Sequence, residues 1–467
     1  MSGNELINKF LKGEVDLMLP FVLNHSEVSY QCDQILRLLP AKRLVVAARS
    51  KQQYCVIKLF APNQKGQREL EREQQGHALA RAAGVNVADI AFSSEDLAGC
   101  FAIAYDFIEN SEEISLNNVD KNQDHVVKML ELMAKLHNFG VYQEDIHLDN
   151  ILLADNELYL IDLASVMKDK PSGGVSVDIS LDNVALMVAQ FSLSEQTIFM
   201  QYIEHYYQAR SWLFDSHARN EFNTRLDQIW QKRKKQYLSK GFRSCTMTNY
   251  RRSLSQESAF QAKFFRQSDV DLAQDIEDLI SQGEVIKAGN SATVVKVMIA
   301  GKMRVIKRYN MKGFSHFLRR CWRPSRAAIS WQNANLLNFI GLPTPTPLGF
   351  IENRVFGLRH TAYFICDYEP AQELLSVYQQ RQPTADELSQ IKTIFDVLEQ
   401  AQISHGDLKA SNLLLDSEGK ILIIDLDAIQ EHRCSGNFQQ AFNKDKARFI
   451  ANWHDAELRS LFTKLLN

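Results

Sequence analysis

Short runs of β-branched and apolar residues, each carrying a single lysine, occur twice: CVIKLF at Cys55–Phe60 and RVIKRY at Arg304–Tyr309. Both predict β-strands. Each is followed by a charged, amphipathic segment, QRELEREQQGHALARAAG and SRAAISWQNANLLNFIG, closed by a glycine as helices commonly are. Further apolar runs come next, FAIAYDFIE at 101–109 and AYFICDYEP at 362–370. An Asp–x4–Asn loop and a strand ending in IDL then follow in both places. The separation of roughly 250–260 residues is far longer than a solenoid repeat and predicts a tandem domain duplication. Between the copies, 231–260 breaks the apolar periodicity and concentrates charge, which places the seam there. Domains are expected at 1–255 and 256–467. Strands, an apolar hinge and then helices predict an α+β fold, with a small sheet-rich lobe and a larger helical lobe in each copy.

Composition narrows the class without changing that picture. A chain of 467 residues exceeds one ordinary core. A net charge of -3 argues against a nucleic-acid binder. Seven scattered cysteines without a CxxC suit reduced thiols rather than a disulfide framework. The N-terminus carries Lys9, Lys12, Glu14 and Asp16 through its apolar part and is not read as a signal peptide. The most apolar long window, 184–203, contains Gln190, Ser192, Glu195 and Gln196 and is a poor membrane span. A cytoplasmic protein is expected, with peripheral membrane contact left open.

The second copy carries the fuller chemistry. HGDLKASN places Asp407 five residues before Asn412, on a loop between a helix and a strand. Asp425 follows near the end of the strand KILIIDLD, and Lys307 stands on a distant strand. Mg-dependent phosphoryl transfer needs such a set: one carboxylate to accept the attacking hydroxyl's proton, hard oxygen ligands for Mg²⁺, and a lysine on the α/β-phosphates. Asp407 is therefore expected as catalytic base, Asn412 and Asp425 as metal ligands, and Lys307 as phosphate anchor. Lys409 is placed to neutralise the transferred γ-phosphate. Upstream, IKAGNSATVVKV has a strand–turn–strand pattern in which Gly289, Ser291 and Ala292 give backbone amides access to phosphate.

The first copy repeats the set as Lys58, Asp145, Asn150 and Asp162, with Glu73 on the helix positioned to pair with Lys58. His147 stands at the place of Lys409. Its nucleotide loop, RLLPAKRLVVAARS, has no glycine, although Lys42 and Arg43 supply charge. A copy retained for packing is the alternative there. In the second copy Ser330 falls where Glu73 does, so no helix carboxylate pairs with Lys307. Each half lacks something the other has.

These motifs together, LPAKRLVVAA…VIKLF, YQEDIHLDNILL…LIDLASV, IKAGNSATVVKV…VIKRYNMKGFSHFLRR and HGDLKASNLL…IIDLDAI, resemble the lipopolysaccharide kinase family. That family comprises the Kdo and core-heptose kinases of bacteria, which share the protein-kinase fold. The resemblance implies two tandem protein-kinase-like domains, ATP and Mg²⁺ as cofactors, and a sugar hydroxyl of the lipopolysaccharide inner core as acceptor. It also implies work at the cytoplasmic face of the inner membrane. The residues 313–326, GFSHFLRRCWRPSR, interleave aromatics with arginines as suits a phosphate-bearing interface. The basic run 231–243 reads equally as a solvated helix face. Two other functions fit the same motifs: a small-molecule phosphotransferase of the aminoglycoside or choline type, and a tandem pseudokinase scaffold.

Overall fold

The computed structural model describes residues 3–14, 17–114, 119–169, 173–268, 271–289, 291–310 and 323–466. The chain mixes helix and sheet and forms two compact units, Met1–Phe191 with Glu195–Trp230, and Ser192–Ser194 with Gln231–Asn467.

The first unit is built on a six-stranded antiparallel sheet in the order Phe21–His25, Val28–Leu39, Arg43–Arg49, Tyr54–Phe60, Cys100–Asp106, Ile90–Leu97. Period-two alternation sends Ile57 and Leu59 into a core with Leu44, Val46, Ala102 and Ala104, and leaves Lys58 on the opposite face. Lys58 sits between Val45 and Ile103 in the ladder, which fixes its backbone in the sheet. The helix Gln64–Ala82 begins at Asn63, whose side chain accepts from the amides of Lys65 and Gly66, and presents buried Glu73.

The second unit carries a seven-stranded antiparallel sheet. Its order is Thr248–Arg252, Gln256–Gln261, Pro347–Val355, Leu358–Asp367, Lys302–Tyr309, Ala292–Ile299, Glu284–Ala288. Five strands repeat the order of the first sheet: a hairpin, the lysine strand, the hinge strand, and the strand that precedes the hinge in sequence. Ile306 points into the core with Val297, Ile299, Ile351 and Ile365, and Lys307 takes the other face between Val294 and Phe364. The helix Arg326–Ile340 is capped by Ser325 and stopped by Gly341 in the left-handed region. The glycine stop expected from the sequence is therefore real at this helix.

The segment 231–260 is ordered on both sides of its charge run. Residues up to Lys240 continue the helix Ser216–Lys240, because Gln, Lys and Arg are strong helix formers. Within the run Lys234 is buried and pairs with Glu431. The hairpin Thr248–Arg252 and Gln256–Gln261 joins the second unit's sheet, so a boundary at 255/256 falls between its two strands. The compact units divide instead after Trp230.

The loops carrying the Asp–x4–Asn motifs are built alike. Each runs from a short strand through a 3-10 turn ending at the Asn, then a hairpin, then an aspartate in the left-handed region, Asp162 (φ 55°) or Asp425 (φ 64°). A second 3-10 turn follows, and a strand that pairs back onto the first. Left-handed backbone at a non-glycine residue costs of order 1–3 kcal/mol and persists where the surroundings over-determine it. Both halves hold that conformation at the same place.

Candidate active site

In the second unit the left-handed backbone at Asp425 aims its carboxylate at the sheet, where it meets the Lys307 ammonium in an ion pair. Burial alone would raise the Asp425 carboxyl, but the adjacent Lys307 charge outweighs it and holds the group below the usual carboxylate range. Asp427, two residues on, lies 3.9 Å from Lys307 and 2.6 Å from Arg326, with its side chain only 7% exposed. Ser330 occupies the helix position opposite, buried, and exchanges a hydrogen bond with the Tyr309 hydroxyl at 2.8 Å. The carboxylate absent from the helix is thus supplied from the loop after the IDL strand. Its neighbouring cation, Arg326, comes from the first turn of that helix.

Asn412 Nδ2 donates to the backbone carbonyl of Asp407 at 2.9 Å and to its carboxylate at 3.3 Å, which leaves the amide oxygen unused by this pair. Asp407 is half-buried between two cations, Lys409 at 3.3 Å and Arg448 at 3.2 Å. Buried Asp445 holds the loop itself. One of its oxygens accepts from the amides of His405 (2.7 Å) and Gly406 (3.1 Å). Asn452 accepts from the Ala410 amide at 2.7 Å. His405 Nε2 donates to the Ile424 carbonyl at 3.0 Å, tying the Asp407 loop to the strand before Asp425. Burial keeps that imidazole below the usual histidine range, hence neutral. Gly289 and Ser291 flank the turn of the Glu284–Ala288 hairpin, where the Gly289 amide donates to the Ala292 carbonyl at 3.0 Å. The Asn310 side chain braces the same turn by donating to the Gly289 carbonyl at 3.2 Å.

The first unit assembles the same set with different charges around it. Lys58 pairs with Glu73 at 2.6 Å and with Asp162 at 3.1 Å. The Tyr105 hydroxyl donates to the other Glu73 oxygen at 2.9 Å, so that carboxylate, fully buried, has both oxygens satisfied. Arg43 (3.4 Å) and Arg37 (3.7 Å), from the glycine-free hairpin, also reach Asp162. Three cations converge on one carboxylate, and Lys58 and Arg43 hold it below its usual range against the opposing effect of burial. Asn150 Nδ2 donates to the Asp145 carbonyl at 3.2 Å. The Asp145 side chain is 80% exposed, with His147 at 3.7 Å. Gln143 does the work of His405, donating to the carbonyls of Ile161 and Asp162 at 3.4 and 3.3 Å. Gln190 takes the place of Asn452, accepting from the Leu148 amide at 3.2 Å. Asn183 stands at the position of Asp445 and bonds the Gln143 carbonyl and His137 instead.

The expected residues therefore form clusters within their own units: Lys307 with Asp425, Asp407 with Lys409 and Asn412, Lys58 with Glu73 and Asp162, and Asp145 with Asn150 and His147, while Gly289 and Ser291 stand at the hairpin turn. Asp427, Asp445 and Arg448 escaped the sequence reading, and Arg326, expected as part of a phosphate-bearing interface, pairs with Asp427. Asp427 was visible as the second acid of IDLD, and Asp445 by its separation from Asp407, which equals that of Asn183 from Asp145. The aromatic and basic stretch 313–326 lies outside the described residues up to position 322. Among the described residues no helix is long and apolar enough to cross a membrane.

Comparison with known proteins agrees with this geometry. Residues 270–458 match the model of the lipopolysaccharide kinase (Kdo/WaaP) family. That match lies within the second unit, which over those residues is similar to members of the family. It is similar to the 3-deoxy-D-manno-octulosonic acid kinase of Vibrio vulnificus strain YJ016, at 24% identity over 156 residues, 32% of this chain and 66% of that protein. The enzyme of the same name from Vibrio cholerae El Tor is 28% identical over 141 residues, 28% of this chain and 59% of that protein. The match thus spans less than two thirds of each relative's length.

Proposed function

We propose that the chain uses ATP to phosphorylate a sugar hydroxyl of the lipopolysaccharide inner core, with transfer at the second unit, and that the first unit is a tandem copy of the same kinase-like fold. The observation that carries the reading is Lys307 paired with left-handed Asp425, beside a loop that presents Asp407, Lys409 and Asn412. Lys307 holds the α/β-phosphates of the nucleotide, and Gly289 and Ser291 cover them with the hairpin turn. The acceptor hydroxyl gives its proton to Asp407 as its oxygen bonds to the γ-phosphorus. The bond to the β–γ bridging oxygen breaks and ADP leaves. Lys409 offsets charge on the moving phosphoryl group.

The Asn412 amide oxygen and the Asp425 carboxylate are hard oxygen donors, few in number, as suits Mg²⁺, which keeps several of its waters. When bound there, the ion would neutralise charge on the β- and γ-phosphate oxygens. The same ion does not fit the first unit, because Lys58, Arg43 and Arg37 already saturate Asp162. That observation favours a non-transferring role for the first unit. The relatives' names point to 3-deoxy-D-manno-octulosonic acid as the acceptor sugar. Transfer of labelled phosphate from ATP to inner-core saccharide tests the reading: activity that survives Lys307→Met would refute the assignment of the second unit.

A further inference from the structure

The acceptor side of Asp407 is more basic than proton transfer requires. Lys409 and Arg448 both reach its carboxylate, and they come from different elements, the loop itself and the helix Ser435–Ala451. Arg448 also donates to the Gly406 carbonyl at 2.6 Å, so its guanidinium is anchored at one corner while 44% of the side chain stays exposed. With Lys409 committed to the γ-phosphate, Arg448 has no substrate partner, and while it stays on Asp407 it occupies an oxygen that the acceptor proton needs. The first unit differs here. Asp145 is open to solvent, His147 replaces the lysine, and Leu186 stands at the position of Arg448, one turn after Asn183 as Arg448 follows Asp445.

We propose that Arg448 is the residue that recognises an anionic substituent, carboxylate or phosphate, on the acceptor sugar, and that this anion draws it off Asp407 and frees the base. The inference rests on the kinase reading of the second unit and deepens it: the acceptor is selected for its charge beside the hydroxyl that reacts. A guanidinium fits this task because its planar donor fork binds a carboxylate or phosphate through two N–H groups while a third keeps its bond to the protein. Two anions, the γ-phosphate and the acceptor's acid, then exchange places with the Asp407 carboxylate on the two cations. Asp407 is then without a cation until it takes the acceptor's proton, which neutralises it.

The test compares wild type, Arg448→Gln and Arg448→Lys on four preparations of core saccharide: native, carboxyl-reduced, phosphatase-treated, and both. Wild type should lose about ten- to a hundredfold in kcat/KM on the preparation that removes the recognised group, the size of one charge-assisted contact. The carboxyl-reduced and phosphatase arms say which group that is. Arg448→Gln should show a raised KM on native acceptor and no further loss on the neutralised one, whereas Arg448→Lys should keep the preference. Equal losses for Arg448→Gln on native and neutralised acceptors would mean that the arginine only holds the Gly406 loop, and would overturn the proposal. So would a wild type indifferent to all four preparations. Calorimetric binding of the same saccharides without nucleotide separates the two claims. A charge preference that depends on Arg448, with no phosphate transfer, would sink the transferase reading alone.

Discussion

Replacing Asp445 by asparagine converts the second unit's loop anchor to the residue that the first unit uses at Asn183. Asp445 is 1% exposed, and its Oδ2 accepts from the His405 amide at 2.7 Å and the Gly406 amide at 3.1 Å, while Oδ1 faces the Leu408 amide at 3.5 Å. Hydrogen bonds to a charged acceptor contribute about 1.5–3 kcal/mol each, against about 0.5–1.5 for neutral pairs. An asparagine oxygen can keep His405 and Gly406, but at neutral strength, and its NH₂ group must then face the Leu408 N–H, donor to donor. The loss over the two strong bonds is about 2 kcal/mol. At about 2–4 °C per kcal/mol for a domain of this size, the second unit's transition should fall by roughly 4–8 °C. Asp445→Ala orphans both amides and should cost about 2–5 kcal/mol. Calorimetry gives the melting shift, and amide hydrogen exchange locates it, because the His405 and Gly406 amides should lose protection first. An Asp445→Asn variant that melts within about 1 °C of wild type with those amides still protected would refute the reasoning.

Other consequences can be measured separately. Gly406 holds φ +79°, and a Cβ there would lie 2.7 Å from the Ala428 carbonyl oxygen, so Gly406→Ala should destabilise by about 1–2 kcal/mol or more and depress transfer; an unchanged melting curve would contradict this. Glu73→Ala leaves Lys58 with Asp162 alone and orphans the Tyr105 hydroxyl in the first unit, and should cost about 1–3 kcal/mol by denaturant titration, yet leave phosphate transfer by the folded protein intact. Asp425 titrates below its unfolded value, so its pair with Lys307 stabilises above the unfolded carboxylate range and fades as pH falls through the lowered folded value. Wild type and Asp425→Asn should therefore differ in stability at neutral pH and converge in strong acid; a difference that grows on acidification would reverse the sign of this argument.

Local chemistry was legible in the sequence where a motif and its partner share one element. The lysine strands, the Asp–x4–Asn loops and the glycine that stops Arg326–Ile340 all lie within short windows. The carboxylate missing at Ser330 was visible, but its replacement was not, since Asp427 reaches Lys307 only after the left-handed turn at Asp425 brings the IDLD acids under the sheet. Asp445 and Arg448 act on the loop from a helix whose approach depends on tertiary packing, which no local periodicity encodes. The exchange of HGD for QED in the first copy also became intelligible in three dimensions. Gly406 requires positive φ to put its amide on Asp445, whereas Glu144 donates to the Ser165 carbonyl without it. The charged run at 231–243 opens where the compact units divide, but it completes the helix Ser216–Lys240 instead of forming a linker, so its polarity alone did not fix a boundary at 255/256.

The central claim is that one of two similar loops transfers phosphate. Purified full-length protein carrying Asp407→Asn or Asp145→Asn, each checked for native melting, should be assayed for labelled phosphate transfer from ATP to inner-core saccharide. The account predicts that Asp407→Asn lowers kcat by at least about a hundredfold, the usual contribution of a positioned base, and that Asp145→Asn leaves it unchanged. Full activity in Asp407→Asn, or its loss in Asp145→Asn, would contradict it.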